Sequence, residues 1–446
     1  MRKRFLALFA DRDASEVLHK AVSAFALKGV AAVAALILNV LVARALGAEG
    51  MGAYALALTV VTVLATVSRF GFDLTLVRHV SAAMAAQAPG LAVAGMRLAT
   101  RVVLVASATI AVLLLLGAEP FNRLTFAVEG LPDALRLAAP GVVFIALSIL
   151  YASALKGLRL TAQQLLVRSV VQPVAAASIF GIAWWSGAGH GPGTAVAAYV
   201  SGALAAASLG WWWWRRAAGA VAIGDARVPF RALLGTAVSM MWITVFQQVM
   251  NWMAIVATGI WSTAREVGLL HAGQRTAMLV SFVLVASNAI AAPKFAEFFR
   301  TNDRERLRRT IRATSWLTVL LGLPIAAPML LAPRFVMSMF GAEFEAGGAV
   351  LAVLALGHLV NVLTGSVTTM LVMSGKERLV QWNTTAAAVL NVALTVFLTP
   401  RYGAFGAAMA MAVALSVQNV AAAILVYRNF GLLTIPGMAG RSRRDE

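Results

Sequence analysis

The chain has 446 residues, of which 61% are hydrophobic and 12% charged, a balance that no soluble domain can bury, so we expect the bilayer to be its solvent. It contains no cysteine, which excludes a disulfide framework, a cysteine metal site and a thiol nucleophile. Its formal net charge is +19, and the basic residues lie in loops between apolar runs, where the positive-inside rule accounts for them. We therefore expect no nucleic-acid partner.

Apolar runs long enough to span a membrane follow one another along the whole chain. A helical span needs roughly 20 mainly apolar residues. Twelve runs meet this length, at residues 22–43, 54–72, 98–117, 139–158, 164–186, 193–214, 233–259, 268–292, 311–331, 347–373, 380–399 and 404–427. The prediction is an all-α polytopic membrane protein of about 12 transmembrane helices.

The loop charges predict the orientation of the chain. If the N-terminus is inside, 30 of the 37 lysines and arginines fall on the inner side and seven on the outer side. Basic residues concentrate in cytoplasmic loops, so both termini are predicted to be cytoplasmic.

The connection between the sixth and seventh runs is longer than a turn. Residues 215–231 are therefore predicted to be a cytoplasmic linker between an N-terminal six-helix lobe, residues 1–214, and a C-terminal six-helix lobe with a short tail, residues 232–446. Gly52 and Gly268 open the spans that follow the first outer turn of each half and stand 216 residues apart. This offset suits two parallel repeats.

Acidic residues are confined to loops and span ends. All eighteen lie there, whereas an exporter of organic cations normally needs a carboxylate inside the membrane. The five histidines are isolated from each other and show no metal-ligand spacing. We find no catalytic pair, and we expect no enzyme activity, no metal and no cofactor.

Basic and amide side chains, by contrast, do lie within the apolar runs. An arginine at mid-span costs about 2.5–3.5 kcal/mol on insertion scales, so it should face water or a counter-charge. A wet central cavity meets that need, and its candidate lining residues are Arg275, Arg69, Asn251, Gln248, Arg44, Asn39 and His271. In the alternative interpretation Arg275 snorkels or pairs with Glu266, and the amides hydrogen-bond between helices.

A cationic cavity favours anionic cargo. Phosphate and pyrophosphate match the guanidinium group in both charge and geometry, and amides and histidine suit sugar hydroxyls. A lipid-linked sugar diphosphate combines these properties.

Several stretches resemble a known family, the oligosaccharide flippases (Wzx-type) of the multidrug/oligosaccharidyl-lipid/polysaccharide exporter superfamily. The stretches are residues 41–54, 69–78, 341–351, 357–365, 373–377 and 402–408. The resemblance implies two six-helix lobes around a central cavity, lined largely by spans one, two, seven and eight, and alternating access. The missing mid-membrane carboxylate departs from the drug-exporting branch and puts its coupling scheme in doubt.

The resemblance also implies a function and a location. The expected activity is translocation of undecaprenyl-diphosphate-linked oligosaccharide from the cytoplasmic to the periplasmic leaflet of the bacterial inner membrane. The product would feed O-antigen, lipopolysaccharide or exopolysaccharide biosynthesis, with membrane lipids around the protein and a polysaccharide polymerase or ligase as partner.

Three other functions compete with this one. A lipid II flippase differs by its cargo, and a multidrug cation exporter of the same superfamily is disfavoured by the acid-free membrane interior. A membrane glycosyltransferase or polysaccharide polymerase belongs to another class, and it normally needs a sizeable outer loop or an acidic motif, which the short outer loops do not offer.

Overall fold

The computed structural model describes residues 12–187, 191–218, 228–432 and 434. Side chains are described from residue 26 onward, apart from several in the helix 230–261 and three near residue 290. This part of the chain is helical and contains no strand. The predicted all-α class is confirmed.

Helices run along the chain with short connections. They are α1 (Arg12–Ser68), α2 (Phe72–Ala85), α3 (Pro89–Thr125), α4 (Leu131–Gly157), α5 (Thr161–Leu165), a π-turn (Leu166–Val170), α6 (Val171–Trp185), α7 (Pro192–Ala218), α8 (Phe230–Trp261), α9 (Ala264–Thr301), α10 (Arg304–Leu331), α11 (Pro333–Ser338), a 3₁₀ turn (Ala342–Gly347), α12 (Gly348–Thr364), α13 (Val367–Met373) and α14 (Glu377–Phe430).

Nine helices among the described residues are long and apolar enough to cross a membrane. Two of these are too long for one crossing, since the candidate span of α1, Ala26–Ser68, has 43 residues and α14 has 54. Each is broken at a glycine with non-helical angles, Gly47 (φ 69°) and Gly403 (φ 55°). Counting these two twice and adding the 32-residue α8 gives the predicted twelve.

Two span boundaries differ from the prediction. The second span ends at Ser68 instead of continuing to residue 72, because Phe70 and Gly71 take positive φ angles of 48° and 81°. The tenth apolar run, 347–373, splits at Gly365 (φ 72°) into α12 and the short α13. An apolar run continues across both turns, so hydropathy alone did not reveal them.

The chain divides into two compact units, Met1–Gln248 with Thr263–Gly268, and Val249–Ser262 with Leu269–Glu446. The sequence-based lobe boundary stays a prediction, since residues 219–227 of the proposed linker and 435–446 of the tail lie outside the described residues. Residues 215–218 of the linker belong to the end of α7.

Unit 1 is built around α4. This helix packs against α1, α3 and α7, and buries large side chains such as Leu131, Leu135 and Leu150. Tyr54 of α1 meets Tyr199 of α7 edge to face, with ring centroids 6.5 Å apart. The result is a well-packed helical core.

Unit 2 is built around the contact between α12 and α14. A Cβ atom on Gly357 would lie 2.8 Å from Cα of Ala412, so the two helices approach closely there. A second apolar cluster joins α9, α10, α13 and α14 through Phe295, Ile311 and Met370 among others. Small residues at the crossing are typical of helix packing in membranes.

Candidate functional site

Arg69 sits in the turn between α1 and α2. Its Nη1 donates a hydrogen bond to the Ala65 carbonyl at 3.0 Å, and its Nη2 donates to Thr66 Oγ1 at 3.1 Å. Nε lies 4.0 Å from Oδ2 of Asp73, and both charged side chains are buried. The guanidinium therefore has local partners and a counter-charge, as a residue that stabilises a turn would.

Gly71 fixes the same turn against α8. A Cβ atom there would lie 2.1 Å from the Ala237 carbonyl oxygen and 2.5 Å from the Met241 nitrogen. Because φ is also +81°, glycine is required both for the backbone conformation and for the close approach. The Arg69–Asp73 pair is thus held in place by packing within unit 1.

Asn39 and Arg44 lie on the first half of α1. The Asn39 side chain is buried and donates from Nδ2 to the Ala35 carbonyl at 2.7 Å. Arg44 is exposed, three residues before the break at Gly47. Gln248, in the same unit, is half-buried on α8. Asn39, Arg44 and Gln248 also have further contacts.

The predicted residues of unit 2 lie on α8 and α9. His271 is buried and Arg275, one helical turn further on, is exposed. Arg275 makes no hydrogen bond and no ion pair with any residue that the structure describes, so the alternative pairing with Glu266 is not formed there. A guanidinium on an apolar helix without a protein counter-charge is free to bind an anion.

A cavity of about 100 Å³ opens within unit 2, and one of its lining residues, Gln274, immediately precedes Arg275 in the sequence. Its polar lining comes from Asn251, Gln274 and His358, and the remaining lining is Met278, Leu354, Met411, Ala412 and Leu415. Neither a carboxylate nor a basic side chain other than histidine lines it. Such a lining offers neutral hydrogen-bond donors and acceptors on an apolar background, which suits uncharged polyhydroxyl groups.

A hydrogen-bond chain orients His358 in this cavity. Asn361 Nδ2 donates to Ser281 Oγ at 3.0 Å, and Ser281 Oγ lies 2.7 Å from Nδ1 of His358. When the serine proton is donated to Nδ1, the neutral imidazole carries its proton on Nε2. His358 then has one ring nitrogen held by the protein and the other available as a donor.

Sequence reasoning placed Asn251 correctly within an apolar helix but did not single out Gln274, His358 and Asn361 as site residues. The available signal was the spacing of His358 and Asn361, three residues apart on one face of α12. The partner Ser281 lies 77 positions before His358. Only the tertiary structure brings that serine to the histidine.

Comparison with known proteins identifies the family of this chain. Residues 17–299 match the family described as polysaccharide biosynthesis protein, which is more than half of the chain. The chain belongs to this family. No curated protein matches it. The resemblance drawn from the sequence is confirmed.

Solved structures share the fold at low sequence identity. An inward-facing multidrug resistance MATE family transporter of the MOP superfamily aligns with a TM-score of 0.73 at 14% identity, covering 92% of this chain and 98% of the other. The lipid II flippase MurJ, in an inward closed conformation, aligns with a TM-score of 0.73 at 13% identity, covering 92% and 87%.

A third structure is a MOP superfamily transporter from Pyrococcus furiosus Vc1, described as having a binding pocket of reverse polarity. It aligns with a TM-score of 0.59 at 14% identity, covering 93% of this chain and 95% of the other. At this level of identity these likenesses show that the chain shares the fold of these multi-pass membrane proteins. The structural neighbours are transporters and a flippase.

Proposed function

We propose that this member of the polysaccharide biosynthesis protein family moves an undecaprenyl-diphosphate-linked oligosaccharide from the cytoplasmic to the periplasmic leaflet by alternating access. The observation that carries the proposal is Arg275, an exposed guanidinium on α9 that has no ion pair or hydrogen bond among the described residues. It binds the diphosphate in this proposal, because guanidinium and phosphate match in charge and in geometry.

In the second part of the proposal, the neutral cavity of unit 2 binds the sugar. Asn251, Gln274 and His358 bind sugar hydroxyls there, while Met278 and Leu354 exclude water from the apolar faces of the rings. The neighbouring position of Gln274 and Arg275 puts sugar-binding and diphosphate-binding groups on the same helical turn. His271, Arg44, Asn39 and Gln248 do not line this cavity, and their contact with substrate stays a prediction from the sequence.

Arg69 has a different role in this proposal. Two nitrogens of its guanidinium donate to Ala65 and Thr66, and the group lies beside the carboxylate of Asp73. We therefore assign Arg69 to the α1–α2 turn and propose that Arg275 binds the cargo. Asp73 is the buried carboxylate of the described residues, and its charge is opposed by Arg69. This pairing argues against a cation-exporting mechanism, which needs a carboxylate that substrate or protons can reach.

The test measures movement of a fluorescent undecaprenyl-diphosphate sugar in proteoliposomes, read by quenching of the label in the outer leaflet. Native protein is compared with Arg275→Ala and with the matched control Arg265→Ala, another exposed arginine of α9 without an ion pair among the described residues. Loss of a charged hydrogen bond of about 1.5–3 kcal/mol corresponds to a decrease of roughly tenfold to a hundredfold in transport efficiency.

Each outcome has a defined meaning. Loss in Arg275→Ala with retention in Arg265→Ala supports the proposal. If both variants move the lipid as native protein does, Arg275 has no part in the mechanism. If native protein moves no more lipid than empty vesicles do, the flippase assignment is overturned.

A lipid II flippase is the second candidate, because the MurJ structure aligns as well as the MATE structure does. The two cargoes differ in the sugar that occupies the neutral cavity. Competition in the same vesicles discriminates them, since excess lipid II abolishes movement of the labelled oligosaccharide lipid only if the protein accepts both.

A further inference from the structure

A second cavity, of about 400 Å³, lies in unit 1 among the ends of three helices. Arg97, Thr100 and Arg101 contribute from α3, Tyr151 from α4, and Trp211, Trp214 and Arg215 from α7, with Val93, Met96 and Ala218 completing the lining. Its size is in the range of small-molecule sites, roughly 300–1,000 Å³. None of these residues belongs to the proposed transport site.

The cavity has a basic rim and an aromatic floor. Arg97, Arg101 and Arg215 are exposed, whereas Tyr151 and Trp214 are buried. Arg97 and Arg101 stand four residues apart, so they lie on the same face of α3. Three guanidinium groups thus surround one opening.

These three arginines have no carboxylate partner among the residues that the structure describes. Arg215 instead stacks over the Trp211 ring, with its Cζ 4.9 Å from the ring centroid. That contact orients the guanidinium but leaves its charge uncompensated, which favours an anion in the cavity.

Apolar surface continues from the rim along the same helices. Leu104 and Val105, one turn beyond Arg101 on α3, are 43% and 67% exposed, and Leu204 on α7 is 45% exposed. A ligand with an anionic head and hydrocarbon chains can therefore place its head among the arginines and its chains against these side chains. Free phosphate would use only the first of these two surfaces.

We propose that this cavity is a binding site for the phosphate headgroup of an anionic phospholipid. The α3, α4 and α7 ends that form it lie on the predicted cytoplasmic side, where anionic lipids attract basic groups. The buried Tyr151 and Trp214 and the neighbouring Trp211 place amphipathic rings at headgroup depth. Basic pockets between transmembrane helices bind such headgroups in other membrane proteins.

The experiment measures lipid retention, so it does not depend on transport. Full-length protein in neutral detergent is mixed with dioleoyl phosphatidylglycerol or dioleoyl phosphatidylcholine, and bound lipid is counted by native mass spectrometry. The triple variant R97Q/R101Q/R215Q is expected to lose phosphatidylglycerol affinity by about fivefold per arginine.

A matched control is R304Q/R308Q/R312Q on α10. It removes the same charge from three exposed arginines that make no ion pair among the described residues and line neither cavity. This control is expected to retain phosphatidylglycerol as native protein does. If the first triple variant does not give folded protein, the three single variants are used, each with an expected loss of about fivefold.

Three results would overturn the proposal. One is equal phosphatidylglycerol retention by native protein and R97Q/R101Q/R215Q, and another is equal binding of the two phospholipids. The third concerns the source of the phosphate. Inorganic diphosphate or undecaprenyl diphosphate that displaces phosphatidylglycerol at equimolar concentration would assign the site to free phosphate or to the transported lipid.

Discussion

Gly52 packs closely against the backbone of the helix that carries Gly268, and Gly268 packs in the same way against the helix that carries Gly52. A Cβ atom on Gly52 would lie 1.7 Å from the Ala264 carbonyl oxygen, and one on Gly268 would lie 2.0 Å from the Ala48 carbonyl oxygen. Both contacts lie within unit 1. The pairs are reciprocal, because Ala48 precedes Gly52 by four residues just as Ala264 precedes Gly268. The two glycines that mark the proposed repeat thus meet at one crossing.

Replacing either glycine should destabilise the fold. Gly52→Ala or Gly268→Ala places a methyl group on a backbone carbonyl, and we expect a loss of about 3 kcal/mol, at the upper end of overpacking effects. Thermal unfolding of detergent-purified protein measures it. Gly117→Ala is the control, since no atom of the described part of the chain lies within 4 Å of a Cβ atom there. A melting temperature unchanged in Gly52→Ala would contradict the close crossing.

The hydrogen-bond chain of unit 2 makes a prediction about substrate affinity. Ser281→Ala removes the group that links Asn361 to His358, and we expect transport efficiency to fall by roughly fivefold to tenfold through weaker binding. The concentration dependence of flipping measures it. Ser287→Ala is the matched control, because that buried hydroxyl on the same helix has no hydrogen-bond partner among the described residues. Equal losses in both variants would remove the chain from the site.

The buried pair in the α1–α2 turn separates a structural role of Arg69 from a cargo-binding role. Asp73→Ala leaves Arg69 buried without its counter-charge and should cost about 3 kcal/mol of folding free energy. The double variant Arg69→Met with Asp73→Leu removes both charges and should recover much of that stability. Unfolding and flipping are measured together. A stable double variant that no longer transports would return Arg69 to the substrate site.

Membrane potential should bias the direction of transport. With the interior negative, outward movement of an anion is favoured by at most about 2.3 kcal/mol per charge per 100 mV. We therefore expect a potassium diffusion potential, negative on the side from which cargo leaves, to accelerate movement, and the opposite potential to slow it. Rates that are the same under both polarities would exclude the potential as a driving force.

The sequence predicted the number of spans better than their ends. Each of the twelve predicted runs falls on helical segments of the structure, because apolar length is what a bilayer requires. Hydropathy extended the second span through Gly71 and the tenth through Gly365, where a positive φ ends the helix within an apolar stretch. Such turns depend on backbone conformation and on close contacts, which hydropathy does not record.

The candidate site was predicted in part, for a related reason. Asn251 and Arg275 stand out as polar groups in apolar helices, and the structure lines a cavity with Asn251 and leaves Arg275 without a counter-charge among the described residues. His358 was not proposed as a site residue, because its partner Ser281 lies on another helix, far from it in the sequence. Arg69 also donates hydrogen bonds to groups three and four residues before it in the chain. The search for residues that line a cavity did not consider such local partners.

The breaks at Gly47 and Gly403 leave very little chain at two of the connections. In each, one residue with non-helical angles separates two helical segments. Proteases cleave at exposed, extended loop tips, and inserted tags are tolerated there. A one-residue break has no such loop. Limited proteolysis, antibodies and inserted epitopes will therefore fail to detect these two turns, on whichever side of the membrane they face. Sidedness is better mapped by single engineered cysteines, for which the cysteine-free chain is already a clean background.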